Sequence, residues 1–391
     1  MPHEHGLGKS VEISQRTRRL LAIAIAPFVI ATVVGLAVLW PRGPRPGQGD
    51  SSEEFVRARV LSTSVGSCAG QQGPDVTECR AIRVRLLEGP DKNSQTRVEV
   101  VEEPNAPNFR AGETVVFAFS PEAPEEFRYA YDDHERRIPL LALALLFAIV
   151  VVALARWKGV MALVGFALSL AVLTLFIIPA ILDGRSPLLV AIVGASAVML
   201  GALYLAHGIN GSTTTAALGT FVSLALIGTL AAIFVAVTRL TGIASEEAIF
   251  LNVREGQLNL RGLVLAGIVI GSLGVLDDVT ITQASAVWEL RRANPGYGFG
   301  DLYRSALRIG RDHIASTVNT LLLAYAGAAL PLFILFTIAQ TPLDHILNGQ
   351  IVAEEIVRTL VGSIGLAASV PITTALAALV ASRNGTTRGG G

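Results

Sequence analysis

The feature that most constrains this chain is a series of apolar blocks, each about twenty residues long, recurring from near its beginning to near its end. A block of that length crosses the hydrocarbon of a bilayer as a helix, and inside that layer a backbone must satisfy its own hydrogen bonds. The blocks fall at 20–40, 138–157, 160–182, 187–206, 215–240, 262–288, 315–338 and 357–382. Hydrophobic residues make up 51% of the 391 and charged residues 16%, with a mean hydropathy of +0.55. An ordinary soluble domain is not so apolar. The expected fold is a membrane all-α bundle of about eight transmembrane helices, with the lipid bilayer as its surroundings. The net charge of +0 decides little, because the positive residues are unevenly spread.

The remaining segments follow from what separates the blocks. A polar tail at 1–19 carries Lys9, Arg16, Arg18 and Arg19, and precedes the anchor at 20–40. That anchor is too long for a signal peptide and lacks a small-residue cleavage site before Pro41, so its basic end is expected in the cytoplasm. The segment 41–137 opens as a Pro/Gly linker and then alternates apolar and polar residues at 55–64, 81–89, 96–103 and 113–120. Period-two runs punctuated by Gly, Pro and Asn predict a small extracytoplasmic β-rich domain of about four or five strands, OB-like in form. Cys68 and Cys79 both lie in it, where a disulfide is expected outside the cytoplasm; two free thiols are the alternative. No aromatic-plus-basic face stands out, so nucleic acid is not an expected partner. No Cys/His cluster has metal-ligand spacing, which leaves any metal unassigned.

The segment 138–382 is then a seven-helix transmembrane domain, and 383–391 a tail. An even number of crossings places both termini in the cytoplasm. Arg156, Lys158, Arg291, Arg292, Arg304, Arg308, Arg311, Arg383 and Arg388 fall in the expected inner loops. Asp183, Glu246, Glu247, Glu255, Asp344, Glu354 and Glu355 fall in the outer ones, a bias that fits this orientation although Arg239, Arg254, Arg261 and Arg358 dilute it.

The sharpest local signal lies at 262–292, where Asp277 and Asp278 interrupt an apolar helix. At about 100° per residue, Gly267, Gly271, Gly274, Asp278, Thr282 and Ser285 fall on one stripe. Glycines there admit close helix packing, and the carboxylate and hydroxyls continue the face as an ion or substrate pathway. The competing reading ends the span at Leu276 and leaves both aspartates at the membrane surface. Trp288, Glu289, Arg291 and Arg292 resemble an interface anchor, which would bury Asp278 by roughly 15 Å. In the next span Asn319 and Thr320 are further pathway candidates: Asn319 either faces Asp278 or serves helix packing, and Thr320 either joins it or bonds to its own helix. The run 207–220 offers either an anion site at a helix start or a plain cap from Ser212 or Thr213. From about Asp301 a basic amphipathic helix is expected on the inner membrane surface. Pro371 is expected to loosen the last span.

The stretches GSLGVLDDVTITQASAVWELRRANP, RIGRDHIASTVNTLLLAYAGAALPLFILF and LAHGINGSTTTAALGT resemble the YibE/F family of bacterial multipass membrane proteins. The resemblance covers about 138–382 and implies a multi-pass protein of the bacterial cytoplasmic membrane, with an anchor and external domain in front. The order of glycine-rich span, intramembrane Asp and S/T-V-N-T span is also similar to SecD/SecF and RND-type permeases, which implies by analogy a proton-coupling role for Asp277 or Asp278. The expected function is a proton- or cation-coupled permease without a further cofactor. The alternative is an export, assembly or stress factor whose external domain binds a protein partner. An enzyme is not expected: an aspartyl protease needs carboxylates converging from different helices, and Asp277 and Asp278 diverge by about 100° on one. A homo-oligomer is a further association open to such a bundle.

Overall fold

A computed structural model of the chain describes residues 14–43, 54–66, 78–101, 106–254 and 258–383. It divides into two compact units, 1–44 with 154–391, and 45–153.

The smaller unit is built on five antiparallel strands, β1 (Glu54–Gly66), β2 (Cys79–Leu86), β3 (Gln95–Val101), β4 (Thr114–Phe119) and β5 (Tyr129–His134). They are ordered β3-β2-β1-β4-β5, and β3 and β5 approach each other at the open side, giving a half-closed barrel. Alternation turns Val56, Ala58, Val60, Ile82, Val84, Leu86, Val115 and Phe117 inward, where they form the barrel core. Tyr129 donates its hydroxyl to Asp91 at 2.8 Å, and burial followed by that bond pushes its pKa up to about 12. Cys79 is buried at the start of β2 and engaged in a disulfide, while Cys68 lies outside the described residues.

Helices make up the larger unit. The anchor α1 (Gln15–Leu39) is capped by Ser14, whose side chain accepts from the Thr17 amide. The helix α2 (Arg137–Val172), whose first half to Ala153 belongs to the smaller unit, runs on through a π-helical turn (Leu173–Ile177) into α3 (Ile178–Leu182). The two spans expected at 138–157 and 160–182 fall in this run, which is kinked at Arg156, whose φ of 53° and ψ of −130° are non-helical. Then follow α4 (Pro187–His207), α5 (Gly211–Val237), the short α6 (Glu246–Arg254) and α7 (Leu260–Ala293). The chain closes with α8 (Phe299–Ala328), α9 (Leu330–Ile338), α10 (Leu343–Asn348) and α11 (Gln350–Arg383).

Six helices among the described residues are long and apolar enough to cross a membrane, or seven if α8 and α9, bent by 61°, form one span. The expected count of eight is therefore not reached as such. The basic amphipathic helix expected from about Asp301 is present, with Arg304, Arg308 and Arg311 exposed. It is the first half of α8, with Leu302, Ala306 and Gly310 buried, and Gln283 of α7 donates to the Ala306 carbonyl at 2.7 Å. The span expected at 315–338 starts earlier and bends at the α8–α9 junction, where Pro331 begins a new helix.

The packed centre is α5, α7 and α11. Gly219 sits where an added Cβ would lie 2.2 Å from Thr373 Oγ1, and at Gly365 it would lie 2.1 Å from Ile227 Cγ1. Small residues let these helices approach, and hydroxyls fill the seam. Thr220 and Thr280 bond side chain to side chain at 2.8 Å, wholly buried. Pro371 is held inside an unbroken α11.

Candidate functional site

Helix α7 is continuous through Asp277 and Asp278, so both carboxylates stand on the same helix as the apolar stretch before them. Its two faces differ. Leu276, Val279, Thr280, Gln283, Ala284 and Val287 are buried, whereas Gly271, Gly274, Asp278, Thr282 and Ser285 are exposed. From Gly274 onward the predicted stripe is thus the uncovered face of α7, which otherwise packs against α4, α5, α8 and α11.

Part of that face lines an open cleft of about 530 Å³ between α2, α4 and α7. Gly274, Asp277, Asp278, Thr282 and Ser285 come from α7, Ala202 and His207 from α4, and Gly165 and Ser169 from α2. Asp277 is more covered than Asp278, and its Oδ1 is buried without a hydrogen-bond partner among the described residues. Asp278 stands open to the cleft.

The hydroxyls divide in a telling way. Ser272, Ser223, Thr215, Ser369 and Thr374 return their hydrogens to carbonyls of their own helix, the usual resolution in an apolar setting. Ser169 does the same inside the cleft, at 2.9 Å from the Gly165 carbonyl. Among the described residues, Thr282 and Ser285 line the cleft and make no such bond, so each hydroxyl has a donor and an acceptor uncommitted. The cleft therefore offers two carboxylates, an imidazole and two uncommitted hydroxyls, a set able to carry protons or to bind a small cation through oxygen ligands. No group of three or more His, Cys, Asp or Glu with metal-holding geometry occurs among the described residues.

Other candidates lie elsewhere. Asn319 and Thr320 are exposed on α8 and do not line the cleft. Val318 and Leu321 pack toward Val279 of α7 and Leu366 of α11, which turns Asn319 outward, and Thr320 bonds to the Ser316 carbonyl. The expectation that Asn319 faces Asp278 is thereby corrected. The glycines also split: Gly271 faces the Tyr325 hydroxyl, an added Cβ at Gly267 would lie 3.7 Å from an Arg358 nitrogen, and nothing lies within 4 Å of one at Gly274. The close packing expected of these three holds at Gly271, where an added Cβ would lie 3.2 Å from the Tyr325 hydroxyl, and is tighter still at Gly219 and Gly365. At the start of α5 the cap is Asn210, which accepts from the Thr213 amide at 2.9 Å, and not Ser212 or Thr213.

Sequence reasoning did not pair His207 with the aspartates. Its signal was the break after it, where Gly208 at φ 74° ends α4 and leaves the imidazole on the last turn.

All of these cleft residues fall inside residues 143–383, the stretch matched by the family described as YibE/F-like protein. The chain belongs to that family. The YibE/F-like stretch begins beyond the β-barrel, so the barrel lies outside the match. No curated protein and no solved structure matches the chain.

Proposed function

We propose that this YibE/F-like membrane protein is a proton- or cation-coupled permease whose ion path runs through the cleft between α2, α4 and α7. The observation that carries the reading is the gathering of Asp277, Asp278, Thr282, Ser285 and His207 around one open space walled by apolar helices. A carboxylate there is costly unless it is protonated, hydrated or paired with a cation, so its occupancy is coupled to what enters. Asp278 is the carrier in this reading, Asp277 a second ligand, and His207 a proton relay at the end of α4. No catalytic role and no bound cofactor is proposed.

The same reading takes Arg156 as the turn between two crossings and α8 with α9 as one bent crossing, for eight in all. Both termini then face the bacterial cytoplasm, on the side of Arg291 and Arg292.

The test is thermal stability of the purified full chain in detergent, across pH and a panel of Na⁺, K⁺, Mg²⁺, Mn²⁺ and Zn²⁺. A ligand that binds only the folded state raises the melting temperature with its occupancy. One ion, or one pH step, is expected to shift the wild type, with the shift lost in Asp278→Asn and weakened in Asp277→Asn. Retention of the full response in both variants, or no response to any ion or pH in the wild type, overturns the reading.

A further inference from the structure

The barrel carries a feature that the strand register alone creates. β1, β2 and β3 each contribute outward arginines, and pairing sets Arg59 directly opposite Arg85, and Arg83 directly opposite Arg97. Arg83 and Arg85 are two apart on one strand, so all four share the outer face, and all four are exposed. Like charges directly opposite across a ladder repel. Of the four, Arg97 is paired with Glu99, at 2.9 Å, while Arg59, Arg83 and Arg85 make no ion pair or hydrogen bond among the described residues. A sheet face that holds four cations together with so little internal compensation is suited to an external anion.

The register also says at which end of the barrel they lie. Arg59 pairs with Thr114, the first residue of β4, and the Thr114 carbonyl accepts from the Glu135 amide at 3.1 Å. Only Glu135 and Arg136 separate β5 from Arg137, where the apolar helix starts. Arg83 pairs with Ser62, farther along β1 in the direction that passes the start of β4. The arginines therefore cluster at the end of the barrel from which the membrane-length helix leaves. Ile138, Leu140, Leu141, Leu143 and Leu145 at the head of that helix are all exposed, as bilayer contact requires.

We propose that this face of β1, β2 and β3 binds the phosphate headgroups of anionic phospholipids in the leaflet that the helix beginning at Arg137 enters. Guanidinium forks match phosphate oxygens in pairs, and near an anionic surface each basic residue strengthens association by about fivefold. The barrel is thereby held down on the bilayer and is not left free on its tether.

The test is residue-resolved reaction of arginines with phenylglyoxal, read by mass spectrometry on the full chain. The chain is placed in nanodiscs of phosphatidylcholine, alone or mixed with phosphatidylglycerol. Arg59, Arg83, Arg85 and Arg97 are expected to react several-fold more slowly in the mixed discs, with the difference lost at high salt. Arg128, level with Ser120 at the opposite end of the barrel, serves as the control and is expected to be unchanged. Equal rates for the four arginines in both discs overturn the proposal, as does equal slowing of Arg128. Protection by soluble polyphosphate in phosphatidylcholine discs, without protection by phosphatidylglycerol, overturns it in favour of a soluble polyanion.

Discussion

Helix α7 has two unlike neighbourhoods. On one side it joins α5 and α11 in a seam where Gly219 and Gly365 admit close approach and the Thr220, Thr280 and Ser272 hydroxyls are bonded in place. On the other it faces a cleft of about 530 Å³ where the Thr282 and Ser285 hydroxyls are free and two carboxylates stand side by side. Both sides are polar by the standard of a membrane, so polarity does not distinguish structure from function here. Commitment differs more: in the seam Thr220, Ser223, Ser272 and Thr280 have partners and the Thr373 hydroxyl is the exception, whereas in the cleft Ser169 is bonded and Thr282 and Ser285 are left open. One helix serves as both rigid support and site wall, which keeps the carboxylates on a fixed element.

Substitutions separate the two sides, and the largest effect is expected in the seam. Gly219→Val drives a side chain into Thr373, whose Cα would be 3.3 Å from the new Cβ. Overpacking of that kind costs about 3 kcal/mol, read as a clear fall in the melting temperature in detergent. Gln283→Leu removes the buried donor to the Ala306 carbonyl and with it the tie between α7 and α8, at about 2 kcal/mol. Thr280→Val loses the bond to Thr220 and is expected to cost about 1 kcal/mol, since Thr220 retains its bond to the Ala216 carbonyl. Gly274→Ala, on the cleft side, meets nothing within 4 Å and is expected to leave stability unchanged to within about 0.5 kcal/mol. A Gly274→Ala loss as large as that of Gly219→Val would erase the contrast and show that the cleft side is packed as tightly as the seam. Thr282→Ala combined with Ser285→Ala sharpens it from the other direction: stability holds, while any ion-dependent shift in melting temperature shrinks.

The individual elements show what sequence reading reaches. The stripe from Gly267 to Ser285 was legible because helical spacing is fixed, and the structure does put Gly274, Asp278, Thr282 and Ser285 on one exposed face. What periodicity does not contain is the identity of the neighbour. Gly267 and Gly271 continue the same line yet face Arg358 and Tyr325, because α8 and α11 cross α7 there. Asn319 had the right residue type and depth, but Val318 and Leu321 took the packed face of α8 and turned it away. His207 was passed over because a partner about seventy residues distant leaves no periodic trace.

By itself the sequence determined the class of the molecule. Apolar blocks of bilayer length demand helices, and alternating runs between the first two demand strands, since both follow from local backbone geometry. The tertiary structure alone decided which polar residues meet. The α2–α4–α7 cleft depends on helices pairing out of chain order. The facing arginines of β1, β2 and β3 depend on a register set by pairing between strands. Local spacing reports the direction of a side chain on its own element, and only packing supplies what stands opposite.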